Sequence, residues 1–179
     1  LADVFGEFKR HGLSVDLTWS HVSDAASESV LSAAQNAIHP GTLAATISDD
    51  TAYAIEARYV WGKAKLYGGF ENIEMANPKH PLPASFRGIG GYDVDFVNNN
   101  AYAIHRVVKV SWAGVRYAFT DRLDVTGAYY RYDQNSFKGN GCSDTSASSC
   151  SGQLQDASLV VDYRLTKRFD VYGGVNHSE

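Results

Sequence analysis

Short segments in which apolar residues alternate with polar or small ones run through the whole of this chain. From Ser158 onward, Leu159, Val161 and Tyr163 mark one face, and the intervening residues mark the other. A period of two puts successive side chains on opposite sides of an extended strand, so each segment predicts a strand with one apolar and one polar face. The chain is therefore expected to be all-β.

The predicted strands come in pairs joined by very few residues. Four hairpins are expected, with turns at residues 9–12, 62–63, 120–122 and 166–168. The connections between hairpins are much longer and cover about residues 23–50, 76–105 and 137–153. Tight turns at one end of the strands and long loops at the other are typical of a transmembrane barrel. We therefore expect one domain over residues 1–179, with eight antiparallel strands.

Two local irregularities are expected. Residues 25–38 have the spacing of a short amphipathic helix within the first long loop. In the strand that follows the second long loop, Val108 and Val110 share a face with Arg116, whereas Lys109 lies on the opposite face. This break in the alternation predicts either a bulge or the edge of the membrane.

Alternation alone does not separate a membrane barrel from a soluble ligand-binding barrel, whose apolar face is turned inward. An Arg or Lys facing lipid at mid-depth costs about 2–4 kcal/mol, and the rows from Leu159 to Leu165 and from Leu123 to Tyr129 carry no charge. Aromatic residues also cluster beside the short turns, as in an interfacial girdle: Tyr59, Trp61, Tyr117, Phe119 and Phe169. A transmembrane barrel is expected, and the soluble barrel is the weaker alternative.

Eight strands cannot stand in lipid as an open sheet, because every backbone N–H and C=O in hydrocarbon must be paired. They must close on themselves or pair with strands outside this chain. A closed eight-stranded barrel is filled by its own side chains, whereas a conducting barrel needs about sixteen strands. Two functions follow: a channel, if the eight strands are half of a larger barrel, and a sealed anchor or adhesin, if they close alone.

The polar face carries charges of both signs, which are the candidates for lining a lumen. These residues are Glu56, Arg58, Lys65, Arg116, Asp124, Asp162, Arg164 and Asp170. Charges in a narrow pore raise or lower ion entry, and Arg58, Arg116 and Arg164 are the first candidates for setting ion selectivity. The alternative is that these arginines pair with acidic residues on neighbouring strands as wall structure. The two signs nearly balance, so no direction of selectivity is predicted.

The only two cysteines, Cys142 and Cys150, lie close together in a Ser-rich stretch. This arrangement favours a local disulfide in an oxidising compartment over two free thiols, and it offers too few ligands for a metal site. A net charge of −4 gives no basic surface for nucleic acid. The six His and many Ser residues show no arrangement of nucleophile, base and orienting group, so no enzyme and no cofactor are expected.

Three stretches resemble general Gram-negative bacterial porins: WAGVRYAF at 112–119, DVTGAYYRY at 124–132 and SLVVDYRLTKRFDVY at 158–172. The resemblance starts at about Leu13 and corresponds to the C-terminal half of such porins without the last strand, and the loop from Cys142 to Cys150 also fits it. It implies a sixteen-stranded barrel in outer-membrane lipid, assembled as a homotrimer, through which ions and small hydrophilic solutes diffuse passively. Those porins end in an aromatic residue, whereas this sequence ends at Glu179, so the closing strand and the constriction loop are expected outside it.

Overall fold

The structure is a computed structural model that describes residues 2–10, 12–83, 85–89, 92–137 and 150–179. Within them lie ten strands and one short helix: β1 Ala2–Arg10, β2 Leu13–Val30, α1 Ala33–Ile38, β3 Leu43–Trp61, β4 Ala64–Ala76, β5 Gly88–Ile89, β6 Tyr92–Asn98, β7 Arg106–Ala118, β8 Leu123–Gln134, β9 Gly152–Arg164 and β10 Asp170–Ser178. In this part of the chain no helix is long and apolar enough to span a membrane. The prediction of an all-β chain is confirmed.

Eight long strands form one antiparallel sheet in the order β1-β2-β3-β4-β7-β8-β9-β10. The order follows the chain, as expected for a row of hairpins. Short turns join the strands of each hairpin at one end of the sheet, and the longer connections lie at the other end. Strands β1 and β10 form the two edges, so the described sheet is open. An open edge leaves backbone groups unpaired, which lipid does not tolerate.

The first long connection is shorter than predicted. Strand β2 continues to Val30 and β3 begins at Leu43, and the two extensions pair with each other beyond Val22. The loop predicted at residues 23–50 is therefore reduced to residues 31–42, and the helix predicted at residues 25–38 is wrong except for α1. The sequence misled here because the extensions are rich in Ala and Ser, which carry no clear apolar alternation.

The start and end of α1 have local causes. The Ser32 side chain accepts a hydrogen bond from the Gln35 backbone N–H at 3.2 Å, and the Gln35 side chain accepts one from the Ser32 backbone N–H at 3.1 Å. This reciprocal pair is a capping box, which satisfies N–H groups at a helix start. Gly41, two residues beyond the C-cap His39, has a φ of 81° and turns the chain toward β3.

The second long connection contains structure that was not predicted. Strand β6 pairs in parallel with the start of β3 and lies beside β3, beyond the end of β4. Ala45 and Ile47 of β3 form a buried cluster with Val94 of β6, and Leu82 and Val97 pack against it. The prediction of residues 76–105 as a plain loop was therefore incomplete. Parallel pairing with a distant segment leaves no local sequence signal.

The irregular alternation in β7 does not come from a bulge, which leaves the other alternative, the edge of the membrane, as a prediction. The pairing of β7 with β4 and with β8 continues without a register shift, and Val108 and Val110 share a face with Arg116. Val110 is buried, which accounts for an apolar side chain on the face that carries Arg116. The register shifts instead in β2, between Val22 and Ala25.

The segment that follows β4 is attached to the extended part of the sheet by polar contacts. The His80 backbone N–H donates to Asp24 Oδ1 at 2.8 Å, and His80 Nδ1 lies 2.7 Å from Asp24 Oδ2. These bonds from His80 lower the pKa of the Asp24 carboxyl. Lys79 Nζ lies 3.9 Å from a carboxylate oxygen of Asp49. Residues 77–83 are therefore held against β2 and β3 at the loop end.

A second buried cluster lies where the later loops meet the ends of β4 and β7. Tyr102 and Phe137 meet edge to face with ring centroids 5.4 Å apart, and Met75 packs against them. The Asn77 side chain donates to the Tyr102 carbonyl at 2.9 Å and accepts from its N–H at 3.2 Å. Burial raises the pKa of the Tyr102 hydroxyl. Because Met75 is opposed to Arg106 on the face that carries Arg116, this cluster covers the loop end of that face.

Candidate functional site

Strand pairing divides the side chains of the sheet into two faces, because directly opposed residues of an antiparallel pair project to the same side. Lys65 is opposed to Arg116, and Arg116 is opposed to Thr126. Following such pairs across the sheet places all the predicted lining residues on one side, which we call the charged face: Glu56, Arg58, Lys65, Arg116, Asp124, Asp162, Arg164 and Asp170.

The opposite side of the sheet, the apolar face, carries large hydrophobic side chains that are exposed. Leu17, Ile55, Val115, Leu159 and Val161 project from it, and each is at least 40% exposed. A row of exposed aliphatic side chains across four strands would be an extensive apolar patch on a water-soluble protein. The soluble barrel requires this row to be buried. An exposed apolar face of this kind is stable in contact with the hydrocarbon chains of lipids.

The apolar face changes character toward the loop end. Glu74 and Lys109 project from the same side of the sheet there, and Glu74 Oε1 lies 2.5 Å from His105 Nδ1. On the apolar face of β3, every second residue from Tyr53 to Trp61 is uncharged. This stretch covers about 26 Å along the strand at about 3.3 Å per residue. At a strand tilt of about 35–45° this length corresponds to about 20 Å of depth, which is most of the apolar band of about 25 Å in outer-membrane barrels.

The other end of the apolar face carries aromatic rings. All five aromatic residues predicted beside the short turns are exposed: Tyr59, Trp61, Tyr117, Phe119 and Phe169. Tyr117 and Phe119 meet edge to face with centroids 4.9 Å apart. Exposed rings at one level, with an apolar body and a polar edge, suit the boundary between lipid and water.

The charged face has a concavity of about 400 Å³ between β2 and β8. Its lining includes Asp16, Glu56, Arg58, Lys65, Tyr67, Trp112, Arg116 and Thr126. Directly opposed residues of this face form rows across the strands. The row nearest the short turns contains Lys65 and Arg116, and the next row contains Arg58 and Tyr67. The third row, toward the loops, contains Asp16 and Glu56. The cations therefore lie toward the short turns and the anions toward the loops.

The arginines of the charged face differ in their partners. Arg116 donates a hydrogen bond from Nη2 to Asp124 Oδ2 across β7 and β8. Asp124 is itself directly opposed to Asp162, so Arg116 offsets the repulsion between two like charges on neighbouring strands. By contrast, Arg58 and Arg164 form no ion pair with any side chain in the described ranges. Pairing as wall structure therefore accounts for one of the three arginines.

The sequence profile of the Gram-negative porin family matches residues 4–179. The chain belongs to the Gram-negative porins. In outline it is similar to a solved structure of in-vitro folded OmpT, an outer membrane protein of Vibrio cholerae, in its trimer form, with a TM-score of 0.65 and 11% sequence identity. That alignment covers 99% of this chain and 44% of the OmpT chain, so this chain spans less than half of the length of that structure. The comparison with curated proteins finds no match.

Membership in this family, together with the apolar face, places the protein in the bacterial outer membrane. The predicted family and the predicted barrel architecture are thereby confirmed. The predicted disulfide stays a prediction, because Cys142 lies outside the residues that the structure describes. Among the described residues of this porin, no three His, Cys, Asp or Glu side chains come together as a metal site.

The predicted lining residues did not include the aromatic side chains of the charged face. Trp112 and Tyr67 project from this side, and each ring lies over a glycine of the neighbouring strand. A Cβ at Gly69 would lie 2.5 Å from Trp112 Cζ2, and one at Gly114 would overlap the Tyr67 ring. The sequence was enough to place Trp112 on this face, because Trp112 lies four residues before Arg116 and every second side chain of a strand projects to the same side. The glycines gave no such signal, because only the register shows which ring each one faces.

The three tryptophans of this porin test the assignment of the faces. Trp19 and Trp61 project from the apolar face, whereas Trp112 projects from the charged face. In variants of the full-length protein that keep a single Trp, we expect brominated phospholipids to quench Trp19 and Trp61 strongly and Trp112 weakly. Aqueous acrylamide should quench Trp112. Strong quenching of Trp112 by the brominated lipid would show that the faces are reversed.

Proposed function

We propose that this chain forms part of the wall of a water-filled channel through which ions and small hydrophilic solutes diffuse passively across the outer membrane. The observation that carries the proposal is the division of one sheet into an exposed apolar face and a face with charges of both signs. Charged groups on the second face are stable only in water or in ion pairs, and Arg58 and Arg164 have no ion-pair partner among the described side chains. A wet lumen supplies the water.

A whole channel needs more strands than the eight described. The chain covers 44% of the OmpT chain, so a barrel of about twice this size is consistent with the open edges of the sheet. About sixteen strands are enough for an aqueous lumen. We extend the proposal to a homotrimer, which is supported by the family and by the trimer form of the OmpT structure. The proposed activity needs no catalytic group, metal or cofactor.

The first test is the conductance of the full-length protein in a planar bilayer under a salt gradient. We expect large ohmic steps, in groups of three if the channel is a trimer. A protein that folds into the membrane without conducting would favour the alternative function, a sealed anchor or adhesin that exposes its long loops for recognition.

Ion selectivity tests the role of Arg58, one of the two arginines of the charged face without an ion-pair partner among the described side chains. Replacing Arg58 by Glu changes the charge of the lumen by two units, so the reversal potential is expected to shift toward cation selectivity. Lys109→Glu makes the same change of charge on the other side of the sheet and is the matched control, for which little shift is expected. Equal shifts for both variants would contradict a lumen-facing Arg58.

A further inference from the structure

We propose that the concavity of the charged face is a solute-binding subsite that takes a sugar carboxylate, a six-membered sugar ring bearing one carboxylate group. The inference rests on the proposed channel, since it needs the charged face to be open to water, and it goes beyond unselective diffusion. The juxtaposition that carries it is a pair of aromatic rings, Trp112 and Tyr67, between cationic and anionic side chains.

The two rings lie against the wall instead of filling the space in front of it. Trp112 on β7 leans over Gly69 on β4, and Tyr67 on β4 leans over Gly114 on β7. Each glycine thus lies against atoms of a ring. Both rings are partly exposed and line the concavity. Flat aromatic surfaces of this kind suit the apolar C–H face of a sugar ring.

The charges around the rings are ordered along the strands. Lys65 and Arg116 lie one row beyond Tyr67 toward the short turns, and Arg58 is directly opposed to Tyr67. Glu56 and Asp16 lie in the row of Gly69, toward the loops. Two residues along a strand cover about 7 Å, so cations and anions flank the rings at distances comparable to the size of one sugar.

The chemistry of a sugar carboxylate matches this order. Its carboxylate would accept hydrogen bonds from Arg58 and Lys65, which form no ion pair with the described side chains and are therefore available. Its hydroxyl groups would donate to the carboxylates of Glu56 and Asp16. The volume of about 400 Å³ lies within the usual range of small-molecule sites, about 300–1,000 Å³.

The test is a fluorescence titration of the full-length protein in detergent, in a variant that keeps Trp112 as its single tryptophan. We expect glucuronate to change the Trp112 emission in a saturable way, and we expect glucose to bind about tenfold more weakly because it lacks the charge-assisted bonds. Acetate, which has the carboxylate without the ring, should bind weakly too. A matched variant that keeps only Trp61, on the apolar face, should show no saturable change.

Substitution separates binding in the concavity from binding elsewhere. The double variant Arg58→Gln, Lys65→Gln should remove the preference for glucuronate over glucose, whereas Lys109→Gln on the other side of the sheet should keep it. The folding of each variant is checked by comparing its gel migration before and after heating, since a folded barrel migrates differently from the heat-denatured chain. Equal affinity for the three solutes, or a preference that survives the double variant, would overturn the inference.

Conductance distinguishes this inference from the proposed function. A protein that conducts but whose current is unaffected by glucuronate, with no saturable Trp112 signal, remains a channel without this subsite. A protein that never conducts contradicts the channel itself, whatever Trp112 reports. Conduction with a concentration-dependent block by glucuronate supports both.

Discussion

Replacing Val161 by Arg is expected to lower the free energy of unfolding in lipid vesicles by about 2–4 kcal/mol, the cost of a cation that faces lipid near mid-depth. Val161 lies between Leu159 and Tyr163 in the apolar row of β9, and it is 42% exposed. An arginine there has no ion-pair partner close by on the apolar face. The measurement is urea unfolding of the full-length protein in phosphatidylcholine vesicles, followed by tryptophan fluorescence.

The chain offers a closely matched control in the preceding residue. Val160 lies on the charged face, where it is opposed to Thr126 on β8 and to Gly174 on β10. The same change, Val160→Arg, puts the guanidinium on the charged face, which the proposed channel leaves open to water, so we expect a loss of stability below about 1 kcal/mol. Equal losses for the two variants would mean that both faces of β9 meet the same surroundings, which contradicts a membrane barrel.

Replacing Gly69 by Val is expected to destabilise the protein by about 1–3 kcal/mol through overpacking on the charged face. A Cβ at this position would lie 2.7 Å from the Ile55 carbonyl oxygen and 2.5 Å from Trp112 Cζ2. The ring can move, but the carbonyl belongs to the backbone of the neighbouring strand β3 and moves only with the strand. Urea unfolding as above measures the loss, and the emission of Trp112 should shift because its ring is displaced.

Gly173 on β10 provides the control for this substitution. A Cβ at Gly173 meets no described atom within 4 Å, and the residue lies on the apolar face beside Val161. Gly173→Val therefore adds an apolar group facing lipid without strain, and we expect no loss of stability. If Gly69→Val were tolerated equally well, the Trp112 ring would not lie against Gly69, and the aromatic part of the proposed subsite would lose its support.

The alternation of residue types was enough to predict much of this protein. Leu159, Val161 and Tyr163 do project to one side of β9, and Asp162 and Arg164 to the other. All eight charged candidates lie on one face. Side chains alternate along each strand, and directly opposed residues of paired strands project to the same side, so the pattern of one strand continues on the next. The short turns were predicted correctly because each one interrupts the alternation of apolar and polar residues. Pore lining itself stays a prediction.

What the alternation could not show is contact between segments distant in sequence. Ala44 and Ala45 are buried in the extended part of β3 because β6 and residues near Leu82 reach them. Alanines carry too little apolar surface to mark a strand by themselves. The loop ends of this sheet were therefore mispredicted where burial depends on a partner about fifty residues away.

The order of residues was enough to predict the eight long strands, their two faces and the family, because strand geometry ties each side chain to one face through local residue order. Which charges of the charged face are paired, and where the aromatic rings lie, became visible only in the folded chain. Arg116 pairs with Asp124 while Arg58 does not, and Trp112 lies over Gly69. These contacts depend on the register between two strands and on the direction of each side chain. The order of residues within one strand does not contain this information.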